Sequence, residues 1–351
     1  MNDWIQDGGV TRIKILLCGA LFLAFASLAG CGSDGETADG CNSSNPPAYC
    51  GEVEGQGECG DGDLGPDEEC DTTVSNQTCG DLGFDAGSLF CTEECAVDSS
   101  DCHQLLRIRF DYRFDSNGYF DAAKRAILEE SARLWSSRIT EHFPPLPDNT
   151  KLRVVHPENP SGDPQDVTIP IWDMDLLIFV GAISTTTGGG ATTWNYFYPH
   201  PEWTNTLYNA LRARVADASK YEPFLVSMTF DTDRPYPTFV DPTPQSDDDI
   251  PDLEYDFLNL VVHELGHALG ITSWNSSFED LQEAGTYVGP AIALNNNVPV
   301  PMADLSHFEL NYAVAGESLC IDPSSLPGER KLPTRFEHFV LEDLGYFIAL
   351  E

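Results

Sequence analysis

The stretch HELGHALGITS, residues 263–273, places two histidines four positions apart, with a glutamate directly after the first. The preceding residues FLNLVV (257–262) are mostly apolar, and Gly270 follows the second histidine by three positions. On a helix, His263 and His267 lie on the same face, so both imidazoles reach one metal ion. Gly270 adopts a left-handed conformation easily, as residues that end helices do. The stretch therefore predicts a buried metal-binding helix that ends at Gly270.

Zinc is the metal that this pair of residues favours, because neutral imidazole nitrogens are among its usual ligands. Glu264 adjoins the first histidine and is placed to accept a proton from a water at the zinc rather than to bind the metal. A catalytic zinc ion has three protein ligands. We therefore expect one catalytic Zn²⁺ at His263 and His267, with Glu264 as general base and a third ligand elsewhere in the chain.

The composition is strongly acidic, with 57 Asp and Glu residues against 18 Lys and Arg residues and a net charge of −39. This balance argues against nucleic acid as a partner, because phosphate binding requires clustered cations. A hydrated acidic surface explains the charge, and bound structural Ca²⁺ is the second explanation.

Residues 1–30 have the layout of a secretory signal, with Arg12 and Lys14 before an apolar run. The run ends in LAGC (28–31), which resembles the bacterial lipobox, and that resemblance implies cleavage before Cys31 and lipidation of Cys31. The alternative is an ordinary signal peptide with Cys31 in a disulfide. We expect an exported protein of the bacterial cell envelope that faces the periplasm or the exterior and contacts the membrane only through this lipid.

Residues 31–103 form a predicted acidic, cysteine-rich stalk. Of the 11 cysteines in the chain, eight lie between residues 41 and 102, at 41, 50, 59, 70, 79, 91, 95 and 102. A dense, even set in an exported chain predicts disulfides, although the spacing alone does not assign the pairs. A zinc site at Cys91 and Cys95 is the alternative. Residues 59–102, which begin CGDGDLGPDEECD and end CTEECAVDSSDC, resemble the short cysteine-rich repeats of myxobacterial surface proteins, and this resemblance implies a spacer or adhesion module.

Residues 104–351 are predicted to form one α+β domain. The alternation in LLRIRFDYRF (105–114) and the apolar runs MDLLIFVGAIS (174–184) and EPFLVSMTFD (222–231) indicate strands. FDAAKRAILEESARLWSSRI (120–139) has helical spacing. RFEHFVLEDLGYFIAL (335–350) predicts a terminal helix with apolar residues on or near one face: Phe336, Phe339, Val340, Leu344 and Phe347.

HELGHALG matches the pattern HExxHxxG of the metzincin zinc proteases, and the chain resembles their leishmanolysin-like branch over residues 105–351. Where many metzincins have a third histidine, this chain has Ser273. The branch places its third histidine after a long insertion, and His307 in MADLSHFEL (302–310) matches it. The resemblance implies a twisted mixed sheet with an active-site helix and a C-terminal helix, and an endopeptidase acting on extracellular proteins or peptides.

Other residues compete with His307 for the role of third ligand. His338 lies in the predicted terminal helix, and a carboxylate is the third ligand in other classes with the HExxH pattern. The carboxylate candidates in this chain are Glu279, Asp280 and Glu309.

Two further segments bear on the resemblance. Metzincins have a methionine in a turn beneath the metal, whereas the last methionine of this chain, Met302, precedes His307. The corresponding turn is ESLCIDP (317–323), with Leu319 or Cys320 at the methionine position, or Cys320 is simply a core thiol. The segment TTTGGGATTWNY (185–196) is either the strand that pairs with substrate above the cleft or a flexible surface loop.

Two rival functions remain at this point. The first is a non-catalytic surface adhesion or binding lipoprotein with a degenerate protease fold, against which the retention of Glu264 argues. The second is a zinc hydrolase that acts on a bond other than a peptide bond.

Overall fold

The structure is a computed structural model, and every residue that it describes lies in one compact unit, Gly57–Glu351. The described residues are 59–65, 68–74, 77–140, 143–184, 191–194, 197–216, 220–233 and 237–349. The predicted signal peptide and the predicted lipidation site Cys31 lie outside them. No helix among the described residues is long and apolar enough to cross a membrane.

The protein is a mixed α+β structure with several small sheets beside one larger sheet. The helices are α1 (Ala122–Ser136), α2 (Asn205–Ala216), α3 (Phe257–Leu269), α4 (Ser276–Glu279) and α5 (Arg335–Asp343), with 3-10 turns at Cys79–Leu82 and Pro290–Asn295. The strands are β1 (Phe90–Cys91), β2 (Val97–Asp98), β3 (Ile108–Asp111), β4 (Thr150–Val154), β5 (Gln165–Ile169), β6 (Leu176–Ile183), β7 (Ala191–Trp194), β8 (Leu225–Asp231), β9 (Thr238–Phe239), β10 (Tyr255–Asp256), β11 (Gln282–Glu283), β12 (Thr286–Tyr287), β13 (Val300–Pro301), β14 (Ala313–Val314) and β15 (Glu317–Ser318).

The larger sheet has the strand order β3-β6-β8-β7. β3, β6 and β8 are parallel, and β7 runs antiparallel to β8 at the edge. β6 is buried along almost its whole length, as its continuous apolar sequence predicts for a strand covered on both faces. The predicted strands at 105–114, 174–184 and 222–231 are therefore confirmed.

Helix α1 packs against the predicted metal-binding helix, α3. Asp121 caps α1 by accepting a hydrogen bond from the backbone N–H of Lys124. Trp135 is fully buried, and its indole Nε1 donates to the carbonyl oxygen of Val262 at 2.8 Å. The main hydrophobic core includes residues of both helices, so α3 lies inside the protein and not on its surface.

The cysteine-rich segment is held by disulfides, as its composition predicts. The described pairs are Cys59–Cys95, Cys70–Cys91 and Cys79–Cys102. The alternative of a zinc site at Cys91 and Cys95 is wrong, because both sulfurs are already bonded to other cysteines. Cys41 and Cys50 lie outside the described residues.

The C-terminal helix is shorter than its sequence pattern predicts. α5 begins with a capping box formed by Thr334 and Glu337 and ends at Asp343. Gly345 has φ 101°, a left-handed conformation that turns the chain out of the helix. Phe347 is therefore beyond the helix and 63% exposed, so its predicted place on the apolar face of the helix is wrong.

Candidate metal centre

Both ends of α3 are fixed by local contacts. At its start, the Asp256 side chain accepts hydrogen bonds from the backbone N–H groups of Leu258 and Asn259 at 3.2 and 3.1 Å. At its end, Gly270 has φ 117°, which an L side chain rarely adopts, and a Cβ there would meet Tyr221 Cδ1 at 2.6 Å. The predicted helix end at Gly270 is confirmed.

Three histidines converge on one point. His263 and His267 project from α3, and His307 comes from the loop after β13. The Nε2 atom of His267 lies 3.0 Å from that of His263 and 3.2 Å from that of His307. A zinc ion bonded tetrahedrally at about 2.1 Å separates its nitrogen ligands by roughly 3.4 Å. The spacing of these nitrogens is close to that value.

The opposite nitrogen of each ring faces an oxygen. Nδ1 lies 2.8 Å from the Cys320 carbonyl in His263, 2.7 Å from the Ile271 carbonyl in His267, and 2.9 Å from the Asp304 carboxylate in His307. Carbonyl and carboxylate oxygens only accept hydrogen bonds, so each Nδ1 carries the proton and each Nε2 presents a lone pair. Three lone pairs that face one another repel unless a cation lies between them. The donor set therefore fits a zinc ion.

Burial keeps the two helix histidines in the neutral form that binds metal. Desolvation, followed by the neighbouring histidines His267 and His307, lowers the pKa of His263 well below its ordinary value. Desolvation and His307 lower the pKa of His267 to about 4. Both rings are thus uncharged at neutral pH, with one proton each, on Nδ1.

The loop that carries His307 is tied to the end of α3 and to the turn beneath it. The Ser273 backbone N–H donates to Ser306 Oγ at 2.9 Å. The Phe308 N–H donates to the Ile321 carbonyl at 2.8 Å. Ser273 stands three residues after Gly270, where many metzincins have their third histidine. Here it helps to hold the loop that supplies His307 instead.

Glu264 shares a cleft of about 440 Å³ with the three histidines. Its side chain is only 4% exposed. The hydroxyl of Thr193, on the edge strand β7, lies 2.6 Å from Glu264 Oε2 and donates to it.

Sequence reasoning did not single out Thr193, although it lies in the segment 185–196, which the sequence left open between a strand above the cleft and a surface loop. Of that segment, the structure describes 191–194, and these residues form β7.

The turn at 317–323 lies beneath α3. Cys320 is a buried free cysteine, and its carbonyl is the oxygen that faces His263. A Cβ on Gly266 would meet Ile321 Cδ1 at 2.2 Å, so the helix and this turn are in close contact. Any side chain at position 266 would clash with Ile321 unless the Ile321 side chain moved.

The competing ligands do not join the cluster. Among the described residues, the histidine group that could hold a metal consists of His263, His267 and His307. His338 is 2% exposed, and its two ring nitrogens lie 2.9 Å from the Thr334 carbonyl and 3.1 Å from the Trp135 carbonyl. The carboxylates proposed as alternatives do not belong to this group: Glu279, Asp280 and Glu309. The second group that could hold a metal, Glu68, Asp71 and Cys95, includes a cysteine that is in a disulfide.

No protein-family model matches the chain, and a search of curated proteins finds no significant match.

Proposed function

We propose that the protein is a zinc-dependent metalloendopeptidase of the metzincin type. The observation that carries the proposal is the convergence of three imidazole lone pairs beside a buried carboxylate in one cleft. A zinc ion held by His263, His267 and His307 would supply the Lewis acidity that polarises a peptide carbonyl and lowers the pKa of water. The metzincin fold is part of the proposal, and the mixed sheet with α3 packed against its edge strand β7 supports it.

Glu264 is the general base of the proposed reaction. Its carboxylate takes a proton from the attacking water and returns it to the leaving amine. The hydroxyl of Thr193 donates to Oε2 and so holds the carboxylate in one orientation.

The edge strand β7 is the proposed substrate-binding strand. β7 pairs with β8 on one side and is the last strand of its sheet among those described, and Ala191, Thr192 and Thr193 line the cleft. An extended peptide adds to such an edge through main-chain hydrogen bonds. Apart from Glu264 and the three histidines, the lining residues that the structure describes are uncharged: Ala191, Thr192, Thr193, Tyr255, Leu260, Thr272, Trp274, Ser306, Pro323, Ser324 and Ser325. Such a lining suits a peptide backbone rather than a charged small molecule.

We further propose that the protein is exported and tethered to the cell envelope by lipid at Cys31. The disulfides of the cysteine-rich segment support export, since disulfides persist in oxidising compartments. The segment would then separate the catalytic part from the membrane.

The first experiment measures bound zinc and casein cleavage together on residues 32–351. The variants are Glu264→Gln and His307→Ala, with His103→Ala as a control because His103 lies outside the cluster. We expect one zinc per wild-type chain and cleavage of casein. Glu264→Gln should keep the zinc and lose cleavage, whereas His307→Ala should lose much of both.

Two outcomes would overturn parts of the proposal. Zinc bound by His307→Ala as tightly as by wild type would mean that the third ligand is another residue. Zinc binding without cleavage of any protein or peptide would favour the non-catalytic surface protein instead.

A further inference from the structure

The three candidate ligands are held in place in different ways. Backbone carbonyls hold His263 and His267, and these belong to Cys320 and Ile271. A side chain, that of Asp304, holds His307. The orientation of the third ring therefore depends on the identity of one residue, whereas that of the other two depends on the path of the backbone.

Asp304 is itself fixed by the turn in which it lies. Both of its carboxylate oxygens are 2.9 Å from His307 Nδ1. Oδ1 also accepts the backbone N–H of Ser306 at 2.7 Å and that of His307 at 3.0 Å. The carboxylate thus bonds the backbone and the ring of the same histidine, which limits rotation of the ring.

His307 needs such support more than the other two histidines do. It comes from a loop 40 residues beyond His267, so no helix sets its orientation. Its side chain is 23% exposed and that of Asp304 is 53% exposed, so water competes for Nδ1 at this rim of the cleft. An ionised acceptor holds the Nδ1 proton more strongly than water does and increases the electron density at Nε2.

We propose that Asp304 is a positioning residue that makes His307 an effective zinc ligand. The inference rests on the metal centre of the proposed function, but it does not depend on which bond the protein cleaves. The alternative is that Asp304 only stabilises the turn, in which case its charge does not affect the metal.

The test is the zinc dissociation constant of residues 32–351, measured by competition with a chelator. Asp304→Asn keeps an oxygen that can accept the backbone N–H groups but removes the charge that faces Nδ1. We expect it to bind zinc about 10-fold more weakly. Glu309→Gln is the matched control, because it removes one exposed negative charge two residues after His307, and it should bind zinc as wild type does. Equal melting temperatures in excess chelator would show that the variants are folded.

A double-mutant cycle tests whether Asp304 acts through His307. We expect Asp304→Asn to have no further effect on zinc affinity when His307→Ala is already present. The inference is overturned if Asp304→Asn binds zinc as tightly as wild type does. It is also overturned if Asp304→Asn weakens zinc binding by the same factor with and without His307→Ala, or if the wild-type protein binds no zinc. Casein cleavage is measured separately, so tight zinc binding that depends on Asp304 without cleavage would refute the proposed function and leave this inference standing.

Discussion

Cys320 contacts the candidate metal centre through its backbone, because its carbonyl accepts the hydrogen bond from His263 Nδ1 at 2.8 Å. Every residue type has this carbonyl. The thiol points elsewhere and bonds the buried carboxylate of Glu337, while burial raises the pKa of the thiol well above its ordinary value. The absence of a methionine from this turn therefore leaves the support of His263 intact.

Thr193 provides a residue-scale prediction on the proposed chemistry. Thr193→Val keeps the shape of the side chain but removes the hydroxyl that lies 2.6 Å from Glu264 Oε2. A hydrogen bond to a charged group contributes about 1.5–3 kcal/mol, so we expect kcat to fall by at least about 10-fold. Zinc affinity should not change, since Thr193 does not touch the histidines in any contact described.

The conservative variant Thr193→Ser serves as the control for that experiment. It keeps a hydroxyl at the same position and should retain most of the wild-type kcat on the same peptide. If Thr193→Val cleaves as fast as wild type, or if Thr193→Ser is as slow as Thr193→Val, the hydroxyl does not position Glu264.

The residues of the site differ in how far the sequence predicts their places. His263 and His267 follow from helical spacing, which is local. His307 was identified through a family resemblance, because no spacing rule joins it to residues 40 positions earlier, and the structure brings it to the other two. Thr193 and Asp304 were not singled out, since a threonine on a strand and an aspartate in a turn are both common without any link to a metal site.

At the scale of elements, α3 is held at its start by a buried ion-pair cluster. Arg330 Nε lies 2.6 Å from Asp256 Oδ2, and Arg330 Nη2 lies 2.6 Å from Asp241 Oδ2. Asp256 is the N-cap of α3, so the arginine ties the first turn of this helix to the acidic loop before it. The side chains of all three residues are at most 3% exposed.

Arg330→Met is expected to destabilise the protein at neutral pH. Removal of one partner of a buried ion pair leaves the others charged and desolvated, which costs about 3–5 kcal/mol in the free energy of unfolding. Urea unfolding in excess chelator measures this cost without a contribution from zinc. Arg109→Met is the control, because the Arg109–Asp173 pair is 57% exposed on both sides and should cost less than about 1 kcal/mol. Equal losses of unfolding free energy in Arg330→Met and Arg109→Met would contradict the assignment of a stabilising buried ion-pair cluster to the start of α3.

The same cluster predicts a dependence on pH. Burial raises the pKa of Asp241, but hydrogen bonds from Arg330 and Thr243 outweigh it and leave the pKa below the ordinary 3.8. A carboxyl with a lowered pKa stabilises the folded state above its ordinary pKa, and this contribution is lost as the pH falls through the lowered value. Without the arginine, burial is no longer outweighed and raises the pKa of Asp241 in the variant, so Arg330→Met recovers stability by protonation as the pH falls. The cost of Arg330→Met should therefore be largest at neutral pH and shrink as the pH falls toward 4. A cost that stays constant down to pH 4 would mean that no carboxylate is left desolvated in the variant.

Elements with a strong local pattern were predictable, and their arrangement was not. The apolar run at 176–183 predicts a central strand and Gly270 predicts the end of α3, and the structure has both. The position of β7 at the sheet edge depends on pairing with β8, a strand more than 30 residues later, so composition alone left it open between a strand and a loop. Gly345 ends α5 although apolar residues continue at helical spacing to Phe347, because backbone conformation overrides the hydrophobic pattern there.

At the scale of the whole molecule, the net charge of −39 opposes the compact state. Cations are few, and several of those described lie in ion pairs with carboxylates, such as Arg107 with Asp175 and Lys331 with Asp322. Most carboxylates therefore repel one another across the surface. In water of low ionic strength this repulsion extends over roughly 30 Å, and at 0.1 M salt it is screened beyond about 10 Å.

Salt should consequently stabilise the protein. We expect the melting temperature of residues 32–351 to rise by several degrees between about 10 and 150 mM NaCl, and by the same amount in KCl, because the effect depends on ionic strength. A fall in the melting temperature with added salt would mean that attractive ion pairs outweigh the repulsion between carboxylates. CaCl₂ at equal ionic strength separates screening from binding, since a structural Ca²⁺ site would add a rise that saturates at low concentration and that excess chelator abolishes. If the melting temperature rises in the same way with CaCl₂ and with NaCl at equal ionic strength, the acidic residues hydrate the surface and form no structural Ca²⁺ site.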